Sequence, residues 1–163
     1  MREIEMRTTQ WISGLLLGGL FVTATTALAA APEIKGQWVR EAPPSASMLA
    51  GFGRLHNADS EERALVDASS SAFADIELHE TVEEDGVMRM IEQEAITVPA
   101  EGMRELKPGS YHLMLMRPHE SLEAGDEVTI TLTFDDGSER EVVFPVRRGG
   151  GGSNHGGQHG HGM

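Results

Sequence analysis

From residue 33 to residue 148 apolar and polar positions alternate in short runs, and no stretch of useful length repeats with a helical period. The period-two runs predict strands over 34–40, 49–56, 64–68, 76–81, 87–92, 95–98, 103–106, 111–116, 127–134 and 140–146. About seven to nine of them are expected to join a sheet. Between them stand Pro43-Pro44, Asp85-Gly86, Pro108-Gly109 and Asp136-Gly137, which supply a fixed or a positive φ where the chain reverses. Around Asp136-Gly137 the pattern is clearest. Val128, Ile130, Leu132 and Phe134 alternate with threonines, and Val142, Phe144 and Val146 alternate on the return, so a hairpin with one buried face is predicted. So many short strands in one modest domain read as all-β, a Greek-key β-sandwich or barrel whose sheets share one core.

The two ends do not fit this pattern. Arg2 and Arg7 precede an apolar run over 11–22, and Ala27-Leu28-Ala29 supplies the small-x-small signal of a peptidase site. Residues 1–29 are therefore expected to be a secretory signal peptide, cut after Ala29 or Ala31, which places the mature protein in the periplasm. Gly14, Gly18, Gly19 and the Thr/Ala-rich end of the run argue against a membrane anchor. No cysteine follows it, so a lipid-linked N-terminus is not expected. Residues 30–148 form the β domain. Residues 149–163, GGGGSNHGGQHGHGM, hold no apolar residue besides Met163 and read as a flexible Gly/His-rich tail.

Composition narrows the chemistry. With 26 acidic against 13 basic residues, the chain carries a formal charge of −13 and repels nucleic acid. It contains no cysteine, which removes disulfides, zinc-thiolate fingers and thiol nucleophiles. No GxSxG elbow, HExxH helix or phosphate loop occurs. Nine methionines and seven histidines in a chain with 5% aromatic content are the anomaly.

Their placement follows from strand alternation. Ile76 and Leu78 take one face and Glu77 and His79 the other; Val87, Arg89 and Ile91 oppose Met88 and Met90; Tyr111, Leu113 and Leu115 oppose His112, Met114 and Met116. A lone methionine is most often a core gap-filler. Two histidines and two methionines set opposite branched apolar faces, however, make a soft N2S2 donor group. Thioether sulfur prefers Cu(I) to Zn(II) or Mg(II), and imidazole accepts either copper state, so the set points to monovalent copper. Such ligands form no disulfide in an oxidising compartment, which suits carrying the ion better than catalysis.

His79, ten intervening residues, Met90, twenty-one intervening residues and then His112-Leu113-Met114 reproduce the H-x10-M-x21-H-x-M spacing of the periplasmic PCuAC copper chaperones. The phrases Ile76-Glu77-Leu78-His79-Glu80 and Lys107-Pro108-Gly109-Ser110-Tyr111-His112-Leu113-Met114 also resemble that family, over roughly residues 36–147. The resemblance implies a cupredoxin-like Greek-key β-barrel with Cu(I) held by His79, Met90, His112 and Met114. It further implies delivery of copper to the CuA-bearing subunit of cytochrome c oxidase, directly or through a Sco-type protein. One position departs: Glu80 stands where the family often has methionine, which leaves Met88 and Met116 as auxiliary thioethers. His155, His159, His161 and Met163 in the tail form a candidate second site, for Cu(II), because a glycine-rich backbone lets imidazoles converge. Some family members carry similar His/Met-rich extensions. His56 and His119 have no partner at recognisable spacing and read as surface residues. No enzymatic activity is expected, nor any membrane contact after signal removal, and the protein is expected to be a monomer, with a metal-bridged dimer as the alternative. The competing functions are a copper-dependent redox enzyme on the same scaffold, disfavoured by two thioethers that bias the site to Cu(I), and a structural sandwich with incidental His and Met.

Overall fold

The structure, a computed structural model, describes residues 30–149. The expected signal peptide and the tail donors His155, His159, His161 and Met163 lie outside the described residues. Ten strands form: β1 (Glu33–Arg40), β2 (Met48–Asn57), β3 (Arg63–Ser69), β4 (Phe73–Glu84), β5 (Val87–Glu92), β6 (Ile96–Val98), β7 (Gly102–Leu106), β8 (Tyr111–Pro118), β9 (Glu127–Phe134) and β10 (Glu139–Arg147). All the alternating segments are therefore strands, more than the number expected, because even the short β6 finds a partner in β3.

Edge to edge the order is β5-β4-β8-β7-β2-β1-β10-β9-β3-β6, with β8 also paired to β2. Strands β3 and β4 stand far apart in that order yet touch, so the sheet folds back over itself as a sandwich around one core. The short parallel pairing of Val39 with Val146 and Arg40 with Arg147 joins its two halves. Val128, Ile130, Leu132 and Phe134 of β9 and Phe144 and Val146 of β10 point inward, as predicted, against Leu55, Ile76, Leu78, Leu113 and Leu115 of the other half. Each large side chain so buried contributes roughly 1.5–3 kcal/mol.

Two local features position the site. Strand β2 pairs with β7 along residues 53–57 and with β8 along residues 48–51, so β7 and β8 are two pieces of one line. Between Leu106 and Leu113 that line is interrupted by an excursion, which turns at Gly109 (φ +79°) and closes through Lys107 N–H donating to Tyr111 O at 2.8 Å. Secondly, β4 outruns β8: their pairing ends at Glu80↔Tyr111, and beyond it only β5 accompanies the strand. The β4–β5 hairpin therefore overhangs the sandwich, reversing at Asp85 (φ +53°) and Gly86 (φ +77°), whose left-handed pair matches the twist of the strands. The alternation predicted for β5 persists, but both its faces are exposed because no second layer lies behind it. Away from the site, Asn57 is buried at the far end of β2, where its amide donates to Glu61 O at 2.8 Å and Pro99 O at 3.2 Å and its Oδ1 accepts from Asp59 N at 3.0 Å.

The β9–β10 hairpin closes with a three-residue loop: Phe134 O accepts from Gly137 N at 2.9 Å, with Gly137 left-handed. The Ser138 hydroxyl and then its backbone N–H, both donating to Asp136 Oδ1, hold the Asp136 carboxyl below the usual carboxylate range, with help from Arg63 and against partial burial. A carboxyl whose pKa falls on folding stabilises above its unfolded value and loses that contribution as pH falls through the folded one. Asp136→Asn is therefore expected to lower the urea midpoint at pH 7, with the gap to wild type narrowing below about pH 4. Asn57→Ala strands buried carbonyls and is expected to cost about 2 kcal/mol in the same measurement.

Candidate metal centre

Leu78 of β4 is paired with Leu113 of β8, and both are buried in the core. Period two then places their sequence neighbours on the opposite face, where His79 pairs with His112 and Glu77 with Met114. On the flanking strands of that face, Met90 of β5 pairs with Thr81, and Ala50 and Met48 of β2 pair with Met114 and Met116. All four predicted donors therefore share one face. The imidazoles lie deep, at 9% exposure for His79 and 4% for His112, with ring centroids 5.9 Å apart. Met90, on the overhanging hairpin, is 62% exposed.

Hydrogen bonds set which nitrogen of each ring is free. His112 Nδ1 lies 3.0 Å from Ser110 O, a carbonyl that only accepts, so Nδ1–H donates and Nε2 keeps its lone pair. Ser110 belongs to the excursion between β7 and β8, and its carbonyl also accepts from Thr81 N at 3.1 Å, which ties the excursion to β4. In His79 the pattern is reversed. Nε2 is 2.9 Å from Glu77 Oε2 and donates to it, while Nδ1 is buried with no protein partner. An unsatisfied buried acceptor of this kind costs about 1–3 kcal/mol, and a metal ion that takes its lone pair removes the penalty. Glu77 thus holds the ring in the tautomer that leaves Nδ1 free.

Met90, His112 and Met114 line one cleft of about 220 Å³ together with Met48, Ala50, Arg40 and Glu41. His79 lies beside it, next to His112. The cleft wall is mostly apolar, and the guanidinium of Arg40 at its edge rests over the rings of Trp38 and Phe52, at 5.9 and 5.2 Å. Gly149, the last described residue, packs on Arg40; a Cβ there would come within 2.9 Å of Arg40 Nε. Among the described residues no three His, Cys, Asp or Glu side chains converge as a metal site, so the donor set is soft and mostly uncharged.

The auxiliary thioethers take other positions. Met116 stands between Asp75 and Met48, and Met88, 56% exposed, pairs with Glu83 further out on the hairpin. Neither lines the cleft. Glu80 pairs with Tyr111 and Ile91, on the face opposite His79, so no residue at that position shares the donor face. His119 Nδ1 bonds Ser71 O at 3.0 Å, and His56, read as partnerless, lies opposite Met103 and Glu33. Met48 was missed by the sequence reading. No spacing rule includes it, and only the β2–β8 register brings it alongside Met114.

The LpqE-like family model matches residues 33–146. "Putative lipoprotein Lxx21020" of Leifsonia xyli subsp. xyli is 38% identical over 116 residues, covering 71% of this chain and 69% of that protein. Among solved structures, the copper-bound PCuAC domain from PmoF2 superposes with a TM-score of 0.63 at 17% identity, covering 75% of this chain and 97% of that one. The solution structure of CuI-DR1885 from Deinococcus radiodurans gives 0.56 at 27% identity, covering 78% and 84%. The all-β sandwich is thus of the cupredoxin-like kind found in PCuAC domains. The chain belongs to the LpqE-like family, of PCuAC type, as the resemblance of its motif implied.

Donors held for a ligand differ from core residues in what they contribute to the metal-free fold. Met90→Ala is expected to change unfolding free energy by less than about 0.5 kcal/mol. Leu113→Ala, at a fully buried position between His112 and Met114, is expected to cost about 3 kcal/mol, both read by urea denaturation without metal.

Proposed function

We propose that the protein is an exported Cu(I)-binding chaperone that carries copper towards the CuA centre of cytochrome c oxidase, directly or through a Sco-type protein. The observation that carries this reading is the orphaned Nδ1 of His79 beside His112, Met90 and Met114, a set of two imidazoles and two thioethers on one face. Soft neutral donors suit a d10 monovalent ion.

Carrying requires both a hold and an exit. Buried, hydrogen-bonded imidazoles have fixed orientation, and the exposed Met90 thioether can be displaced by an incoming donor without moving a proton. The family and the solved CuI form of DR1885 support the same reading. Export would follow from residues 1–29 and would place the work in the periplasm. Gly149, the last described residue, lies against Arg40 of the cleft lining, which supports a collecting role for His155, His159, His161 and Met163, with Cu(II) as the form they gather. The carrier acts as a monomer.

Competition of the full chain against a chromophoric Cu(I) chelator, with and without residues 150–163, tests this. One tight equivalent is expected, unaffected by the truncation and lost in a His79→Ala, His112→Ala double variant. Tight binding that persists in the double variant, or none in the truncated chain, sinks the proposal.

A further inference from the structure

We propose that Met48 is a third thioether donor for copper, which takes the ion over from His79 as it leaves the site. The inference rests on the copper reading above and adds to it a residue outside the four-donor motif. Met48 opens β2 and is 45% exposed, a large apolar side chain with no core role. It lines the cleft with Met90, His112 and Met114, whereas His79 does not. The cause lies in the ladder. Ala50 stands directly opposite Met114, and its methyl leaves the flank of that methionine open. Met48, two residues along on the same face, is Met114's diagonal neighbour, within reach of a long unbranched side chain.

Two donor sets therefore overlap. His79, His112, Met90 and Met114 offer two nitrogens and two sulfurs, and the cleft itself offers His112 with three sulfurs. Three donors are common to both sets. Passing from one to the other breaks the bond from copper to His79 Nδ1 and forms one to the Met48 sulfur. Both donors are neutral, so the ion stays Cu(I) and no proton or electron moves. The exchange takes copper from the more buried imidazole to a mouth where two of the three sulfurs, Met48 and Met90, are exposed to an acceptor.

The test uses the full chain labelled at the methionine ε-methyl groups and titrated with Ag(I), a redox-inert stand-in, and with Cu(I) under anaerobic conditions. One equivalent is expected to shift the methyls of Met48, Met90 and Met114 and to leave Met103, exposed on β7, in place. In parallel, Met48→Leu, which keeps the bulk and removes the sulfur, is expected to slow copper release to a chromophoric chelator about tenfold, with equilibrium affinity within about threefold. If Met90 and Met114 shift while Met48 does not, or if the variant releases copper at the wild-type rate, the role of Met48 is overturned and the four-donor site stands. If no methionine methyl shifts, the copper reading falls with it.

Discussion

The pairing of Leu78 with Leu113 is the contact on which the candidate metal site depends. Both side chains are buried, and the core accepts them only in that register. Because a strand alternates its side chains, the same register sets His79 opposite His112 and Glu77 opposite Met114 on the outer face. A slip of β4 by one residue would turn His79 into the core and Leu78 into solvent, and the same slip of β8 would do so to His112 and Leu113. The free energy of hydrophobic burial thus holds the donor geometry without any metal, and the ligands themselves contribute little to the fold.

The face so created divides its labour by depth. Its imidazoles are nearly buried and oriented by oxygen acceptors, Glu77 for His79 and Ser110 for His112. The Met90 and Met48 thioethers are exposed on neighbouring strands, one on the overhanging hairpin and one at the start of β2. Interruption of the β7–β8 line produces the first half of this arrangement, since the excursion carries the Ser110 carbonyl to His112. Overrun of β4 past β8 produces the second, since it lifts Met90 clear of the core. Each is a local departure from a regular sheet, and each lies at the site. The opposite half of the sandwich, β10-β9-β3-β6, has its own register shift between Leu65 and Asp67 and supplies much of the core.

Charge is balanced in this division. The chain as a whole is strongly acidic, while the cleft is lined by neutral donors, apolar carbons, a guanidinium held over two aromatic rings and the Glu41 carboxylate beside it. A carboxylate-rich surface attracts cations generally, and thioether and imidazole donors such as those of the cleft favour soft ones.

What could be read from the sequence is what alternation and spacing carry: all ten strands, the inward set of β9, the outward set of His79, His112 and Met114, and the four-donor motif. These are local properties, because the direction of a side chain in a strand is decided by its position in the pleat. Tertiary structure alone decided the rest. It left both faces of β5 exposed, buried the two outward histidines, set aside Met88 and Met116, placed residue 80 on the far face and brought Met48 into the cleft. Each of these outcomes depends on which strands become neighbours and where their pairing stops. Strand order and register are settled by loop lengths and by the fit of one core across distant segments, and a residue such as Met48, far along the chain from Met114, becomes its neighbour only when that core closes.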